Sequence, residues 1–376
     1  MAAQRVLHVI SSTMRAGVTI MVMNMYRSVD RERLQFDFIA HDLGDDDFGP
    51  EIEALGGRVF RLPFMSRVGM SGYVRMVREI LQKNGPYAAV HAHTEYQAGF
   101  VALAAHQAGV PVRICHAHAD TRYVRTPLFL LKKMLGRALI DRYATQRCAA
   151  STSAALSTFG ARAVKAGQVL IVPNRIDVSA FGDRTPESRA KLSTACNAGP
   201  DSRILGCAGR LSAEKNPGFV LDIAAAAEQA GLDMRFAFAG TGSMLESLTE
   251  RRSRMGLEDT VFFLGSRDDI PSLMPCFDLL LVPSYTEGFC LAALEAQAAG
   301  TPVLASKGVP PEADMGLGLF YTLPLSAGAD AWAQKAADIM ETAARPDIET
   351  RRQAIRTRGH DTGAGANGLL QLYGIS

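Results

Sequence analysis

Two glutamates eight positions apart, in Glu287-Gly-Phe-Cys-Leu-Ala-Ala-Leu-Glu295, follow the apolar run Leu279 to Val282 and the turn Pro283-Ser284. This pattern predicts a strand, a loop, and then a helix starting near Phe289. The N-terminus of such a helix offers free backbone N–H groups and the positive end of the helix dipole, which suit a phosphate. A carboxylate just before it can hold a sugar hydroxyl, and one farther along can accept from a ribose. Glutamates at this spacing also occur on solvated helix faces, so the spacing alone leaves both readings open.

A second constellation, Gly209-Arg210-Leu211-Ser212-Ala213-Glu214-Lys215-Asn216, follows the strand pattern ILGCA. An Arg and a Lys at a strand's carboxyl end can converge on a pyrophosphate, the guanidinium in bidentate fashion and the ammonium as a point charge. The stretch Ala239-Gly240-Thr241-Gly242-Ser243 lets backbone approach a ligand closely. Leu245 takes the place of the last glycine of a dinucleotide fingerprint, which disfavours a nicotinamide site.

Four histidines fall at strand ends, His91, His93, His116 and His118. H-x-H on a strand puts both rings on one face, a spacing that also suits a metal. With no third ligand nearby in sequence except Asp120, zinc is not expected. Because strand-end loops line the ligand crevice of doubly wound sheets, a site role is favoured for His118, with His116 in reserve. The run Asp45-Asp46-Asp47 lies beside Gly44 and Gly49-Pro50 and is taken as solvated loop acid.

Strand and helix patterns must position these groups, and they alternate twice. The first series runs Val6 to Ser11, a helix Gly17 to Val29, Phe36 to His41, Arg58 to Leu62, a helix Tyr73 to Gln82, Ala88 to His91, a helix Gln97 to Ala108, and Val112 to Cys115. The second starts at Arg203 and continues with helices over Gly218 to Ala230 and Ser243 to Arg254, and strands over Arg235 to Gly240 and Val261 to Leu264. Short, wholly apolar strands alternating with helices predict α/β domains with parallel sheets buried on both faces. The chain is expected to divide into 1–180, 181–360 and a segment 361–376 that returns to the first domain.

The 376 residues exceed what one core usually serves, and 48% apolar with 21% charged residues suits a globular protein. A net charge of +2 gives no reason to expect a nucleic-acid partner. Six scattered cysteines form no C-x-x-C pair and are expected to be reduced thiols. The N-terminus does not have the pattern of a secretion signal, and no apolar run reaches the roughly 18 to 20 residues that span a bilayer. A cytoplasmic protein is expected. The segment 121–147 interleaves Arg122, Arg125, Lys132, Lys133, Arg137, Arg142 and Arg147 with apolar residues. Such a pattern can lie on an anionic membrane surface, here the inner face of the cell membrane, and equally suits a helix packed on its own domain.

Taken in order, GRLSAEKN, AGTGSMLE and SYTEGFCLAALEAQAAGTPVLAS resemble the retaining glycosyltransferases of family 4, as do RAGVTIMVMNMYR, HAHTEYQAGF, ICHAHADT and VPNRID nearer the N-terminus. The similarity is to the branch that builds bacterial capsular and exopolysaccharides. It implies the GT-B fold, two Rossmann-like domains facing each other across a cleft, with the acceptor on the first and the nucleotide-sugar donor on the second. It implies that Glu295 contacts the donor ribose, Glu287 the donor sugar, and Arg210 and Lys215 the pyrophosphate. Gly240 and Gly242 then belong to the donor loops, and the backbone of Phe289, Cys290 and Leu291 completes the phosphate cradle. Gly17 closes over the donor, and His118 meets the acceptor or departing phosphate. The donor is UDP-linked, the acceptor a saccharide or lipid-linked saccharide, and no metal or other cofactor is required.

The chain departs from the family pattern at Ala16-Gly17-Val18-Thr19, which has one glycine and no acid, at Arg175 in place of a turn glycine, and at Cys290 where glycine is frequent. These departures motivate an alternative, a degenerate GT-B subunit that binds nucleotide or glycan and supports a partner enzyme. A nucleotide-sugar epimerase on the same fold is a further alternative, separated from a transferase by its products.

Overall fold

The computed structural model describes residues 3–41, 48–121, 126–364 and 366–375. The Asp45 to Asp47 run and Arg122 and Arg125 lie outside them. The chain divides into two units, one of Met1–Ile176 with Asp361–Ser376, the other Asp177–His360.

The first unit is built on a parallel sheet of seven strands: β1 (Gln4–Ile10), β2 (Leu34–His41), β3 (Val59–Leu62), β4 (Ala89–Ala92), β5 (Val112–Ala117), β6 (Gln146–Ala149) and β7 (Leu170–Ile171). Their order is β3-β2-β1-β4-β5-β6-β7. The second unit carries a six-stranded parallel sheet of β8 (Arg203–Ala208), β9 (Met234–Ala239), β10 (Val261–Phe263), β11 (Leu279–Val282), β12 (Val303–Ala305) and β13 (Phe320–Thr322), in the order β10-β9-β8-β11-β12-β13. Both orders reverse direction once, between β1 and β4 and between β8 and β11. Ligands of doubly wound sheets bind outside the carboxyl ends of the strands at such a reversal.

Apolar strand residues explain why both sheets sit inside their units. Val6, Leu7, Val9 and Ile10 of β1 and Leu279 and Leu280 of β11 have no exposed surface. Burying each such side chain contributes roughly 1.5–3 kcal/mol. Helices cover both faces, as parallel strands joined by crossovers require. The helix expected from Tyr73 begins earlier, at Met65, and breaks its helical dihedrals at Gly69 (φ 71°), a left-handed conformation that glycine adopts without penalty.

The segment after Asp361 packs on the first unit. Its residue Ile176 bridges Asp361, Gln146 Nε2 donates to the Leu372 carbonyl at 3.0 Å, and Leu369, Leu372 and Tyr373 join the core that holds Val6, Phe36 and Cys148. The six cysteines are free thiols.

Candidate active site

At the sheet reversal of the second unit, the loops after β8, β9 and β11 are bonded to one another. Leu211 N–H donates to the Thr241 carbonyl at 2.9 Å, and Tyr285 N–H to the Glu214 carbonyl at 2.8 Å. Asn216 Nδ2 donates to the Pro283 carbonyl at 3.2 Å. Gly240 and Gly242 make the first contact feasible. A Cβ on Gly240 would lie 1.9 Å from the Gly209 carbonyl oxygen, and one on Gly242 would lie 2.3 Å from that of Leu211. These glycines therefore serve loop-to-loop packing around the site in addition to any approach of backbone to a ligand.

The side chains converge on the same place. Lys215 Nζ donates to both oxygens of Glu287, at 2.6 and 2.7 Å, and Ser284 Oγ donates to Glu287 Oε1 at 2.7 Å. Glu287 is buried, and its loop is fixed by its own N–H donating to the Gly308 carbonyl at 2.9 Å. Burial works to lower the Lys215 pKa, but the Glu287 carboxylate outweighs it and holds the ammonium charged. Arg210 is exposed at the rim.

The helix after this loop spans Leu291–Ala298, so Phe289 and Cys290 lead into it and do not begin it. Cys290 caps its N-terminus at φ 83° and ψ 80°, a left-handed backbone that costs a non-glycine residue about 1–3 kcal/mol. That dihedral is the physical reason glycine suits this position. The cap leaves the N–H groups of Leu291 and Ala292 without an intrahelical acceptor, while Ala293 N–H donates back to the Cys290 carbonyl at 3.2 Å. The helix is anchored along its length. Gln297, fully buried, donates to the Ala313 carbonyl at 2.7 Å and accepts from Met315 N–H at 2.8 Å. Arg351 donates to the Ala298 carbonyl at 3.1 Å and pairs with Asp183, placing a cation at the helix C-terminus where the dipole favours it. The Phe289 ring stacks on His360 with centroids 4.9 Å apart.

Glu295 lies on this helix, and burial pushes its carboxyl up to about 7. A polar cavity of about 480 Å³ lies elsewhere in the unit, lined by Arg184, Arg189, Pro200 and Asp278. It sits at the amino ends of β8 and β11, the wrong edge of the sheet for a doubly wound ligand site.

The first-unit residues are placed separately. Gly17 is the first residue of the helix Gly17–Ser28, exposed, with no acid in the first turn. His118 follows β5, partly exposed, with Nε2 2.8 Å from His93 Nδ1. Its pKa is pushed down to about 3 by burial, so the ring is neutral.

Residues 16–175 match the glycosyl transferase 4-like domain, and residues 189–346 match the glycosyl transferases group 1. Over 99% of this chain and 97% of the relative, the sequence is 36% identical to a Bacillus subtilis protein named "Putative glycosyltransferase EpsF". The chain is a group 1 glycosyltransferase. A mannosyltransferase of lipopolysaccharide core biosynthesis from Rhizobium meliloti, LpsB, is 30% identical over 53% of this chain and 60% of its own. Among solved structures, Anabaena HepE in complex with UDP-glucose superposes with a TM-score of 0.77 at 21% identity, covering 98% of each chain. The enzyme thus has the GT-B fold, with two Rossmann-like units.

Motif reading gives no role to Ser284 or Asn216 and misses Gly308, Gln297 and Arg351, which together hold the site of the glycosyltransferase in shape. Pro283-Ser284 was legible only as a turn. Asn216 and Gly308 reach the Glu287 loop through strand order, Gln297 anchors the helix that follows it, and Arg351 reaches that helix from far along the chain.

Proposed function

We propose that the second unit binds a nucleoside diphosphate sugar, UDP-linked, and that the enzyme transfers the sugar with retention to a saccharide or lipid-linked saccharide in surface polysaccharide synthesis. The observation that carries this is the convergence of Lys215, Glu287 and the N-terminus of the helix Leu291–Ala298 at the carboxyl edge between β8 and β11. The names of two relatives, EpsF and LpsB, and the UDP-glucose held by HepE support the donor and product class.

In this reading Arg210 and Lys215 take the diphosphate, with the backbone at Phe289, Cys290 and Leu291. Breaking the anomeric bond leaves negative charge on the departing phosphate, and these preorganised donors stabilise it without a metal. Glu287 holds a sugar hydroxyl and shares Lys215 with the phosphate. Glu295 accepts from the ribose hydroxyls. The first unit takes the acceptor, with Gly17 at its N-terminal loop and the neutral His118 as a hydrogen-bond partner.

The test is thermal unfolding with UDP, GDP, ADP and TDP in turn, followed by release of nucleoside diphosphate from the preferred donor. Ligand at about a hundred times its Kd stabilises by roughly 2.7 kcal/mol, a rise of a few degrees. A rise with one nucleotide and turnover of its sugar supports the reading. Binding without turnover favours the degenerate subunit, and no binding sinks the donor site.

Glu295 adds a pH signature. Free enzyme keeps this carboxyl protonated up to about 7, above its ordinary 4.5. Ribose hydroxyls donate to the ionised form, so nucleotide affinity is expected to fall about tenfold per pH unit below 7. Titration calorimetry at pH 8 and pH 6 checks this. Glu295→Gln should bind weakly with the pH dependence gone, and a wild-type affinity that is flat over this range removes Glu295 from the ribose.

Membrane contact through 121–147 is part of the same proposal. The helix Pro127–Tyr143 exposes Leu128, Leu130, Leu131, Met134 and Leu135, between 42% and 70% each. Its bases divide in role. Lys133 donates to Thr121 and Ser157, Arg137 to the Thr158 carbonyl, and Arg147 pairs with Asp141, which leaves fewer charges for lipid than the sequence count suggests. The apolar face therefore carries most of the expected binding. Leu131→Ser/Met134→Ser is expected to lower co-sedimentation with anionic vesicles about tenfold while leaving nucleotide binding intact. Unchanged sedimentation would remove this face from membrane contact.

A further inference from the structure

The sheet of the first unit holds an imidazole cluster of which the proposed transfer uses only His118. His8 is on β1, His91 on β4 with His93 just beyond it, and His116 on β5 with His118 just beyond it. His8, His91, His93 and His116 are each at most 2% exposed. Their nitrogens form one chain that passes through Tyr373. His118 Nε2 meets His93 Nδ1 at 2.8 Å, His93 Nε2 meets His8 Nδ1 at 3.0 Å, and His8 Nε2 meets the Tyr373 hydroxyl at 3.5 Å. The hydroxyl meets His91 Nδ1 at 3.1 Å, and His91 Nε2 meets His116 Nδ1 at 3.0 Å. The chain ends at two nitrogens, His118 Nδ1 and His116 Nε2, both shut from solvent and without a hydrogen-bond partner. Leaving a buried polar atom unpaired costs about 1–3 kcal/mol, so two at the ends of one chain call for a reason.

We propose that His93, His116 and His118 bind a late first-row divalent cation, with Zn²⁺ the best fit. One ligand nitrogen from each lies within 4.8 Å of the others. Three imidazoles suit zinc, nickel or copper and disfavour the hard oxygen-seeking ions.

Proton bookkeeping along the chain allows an arrangement with lone pairs at both ends, in which the buried Tyr373 hydroxyl hydrogen has no acceptor. Five neutral imidazoles and one phenol carry six protons, and five links use five of them. If the Tyr373 oxygen accepts from both His8 Nε2–H and His91 Nδ1–H, the sixth proton is its own hydroxyl hydrogen. Every ring then has the tautomer that leaves a lone pair at both ends, on His118 Nδ1 and His116 Nε2. His93 in that arrangement carries its proton on Nε2, so its Nδ1 also presents a lone pair, shared with His118 Nε2–H. An ion that takes His93 Nδ1 displaces the His118 Nε2–H now facing it, so the His118 ring turns to bring a lone pair to the ion, and no proton is expelled.

A second group, His8, His91 and His93, also lies within ligand distance. It shares His93, so the two groups together hold one ion. The outer group is favoured because both unpartnered nitrogens belong to it and because His118 is partly exposed. The partly exposed His118 ring puts this group nearer solvent than the fully buried one, and three-ligand zinc sites keep a fourth position for water. The expectation against zinc at the H-x-H pairs rests on the lack of a third ligand nearby in sequence, and parallel pairing of β4 with β5 supplies one from the neighbouring strand.

This inference is independent of the donor-site reading, since its residues lie in the other unit. The test uses the full chain, stripped with a chelator and dialysed against zinc sulfate. Metal analysis is expected to find about one Zn²⁺ per chain, and Co²⁺ in its place to give the visible absorption of a four-coordinate site. His116→Gln/His118→Gln is expected to weaken retention at least about tenfold. His118→Gln alone, at the accessible end, serves if the double variant does not fold by circular dichroism. Zinc should also raise the wild-type melting temperature and leave that of the variant unchanged. Wild-type chain that retains no ion after dialysis, or a variant that retains as much as wild type, overturns the proposal; the second outcome assigns the ion to other residues, cysteines included.

Discussion

Lys215→Ala is expected to lower sugar transfer about 10²- to 10³-fold, the loss typical of removing one preorganised donor from a developing oxyanion. The same substitution is expected to cost the second unit on the order of 2 kcal/mol. Lys215 donates to both oxygens of Glu287, a carboxylate that is 7% exposed, and only Ser284 would remain to satisfy it. Breaking a fully buried pair costs about 3–5 kcal/mol, and the estimate is lower here because the Lys215 side chain is 35% exposed. Lys215→Met/Glu287→Leu separates the two effects. It removes both charges from the partly buried pair, so stability should recover while transfer stays lost. Steady-state kinetics and thermal unfolding of the three proteins read this directly. Normal turnover in Lys215→Ala would remove Lys215 from the donor site.

Acidification from pH 7 to pH 5 is expected to unfold the first unit of the metal-free chain. Burial, the largest cause, lowers His8 and His118 to about 3 and holds His91, His93 and His116 well below 6.5. Neighbouring histidines push the last three the same way. The sign follows from proton uptake. Unfolded histidines bind protons below about 6.5 and the folded ones do not, so their stability contribution is complete above that pH and is lost as pH falls. Each costs up to about 1.4 kcal/mol per pH unit, which for five sums to roughly 5–10 kcal/mol over this range, comparable to the whole stability of a domain.

Two neighbouring acids act at the same time. Glu95, raised to about 7 by burial, gains stability as pH falls toward 4.5, but it is one group against five. Asp37 resists protonation despite burial because Arg5, Arg58 and Tyr87 bond it, so its contribution is lost only at lower pH. Circular dichroism should show a transition near pH 5. Trp332, the single tryptophan, is buried in the second unit, so its fluorescence should lag behind. A stability that stays flat from pH 7 to pH 5 would mean the cluster is protonated or open in solution.

The donor site was legible because its parts are local. Glu287 to Glu295 and Gly209 to Lys215 each follow one strand within a few residues, and a strand, loop and helix pattern already places them at a carboxyl edge. The helix start was read two residues early, at Phe289 rather than Leu291, because the left-handed cap at Cys290 has no signature in residue type. The contact between Lys215 and Glu287 was not legible. Their roles were assigned to different ends of the donor, and only strand order, which sets β8 beside β11, brings them within 2.6 Å.

The amino-acid sequence alone determined the class of elements, their alternation, the two-unit architecture and the family, because apolar period, glycine placement and motif spacing act over short stretches of chain. The tertiary structure alone decided what depends on strand neighbours. Parallel pairing joins His8, His91, His93, His116 and His118 from three strands, and the turn after the C-terminal helix adds Tyr373 from far along the chain. Sheet order is set by crossover handedness and core packing over the whole unit, and no local pattern in the sequence encodes it.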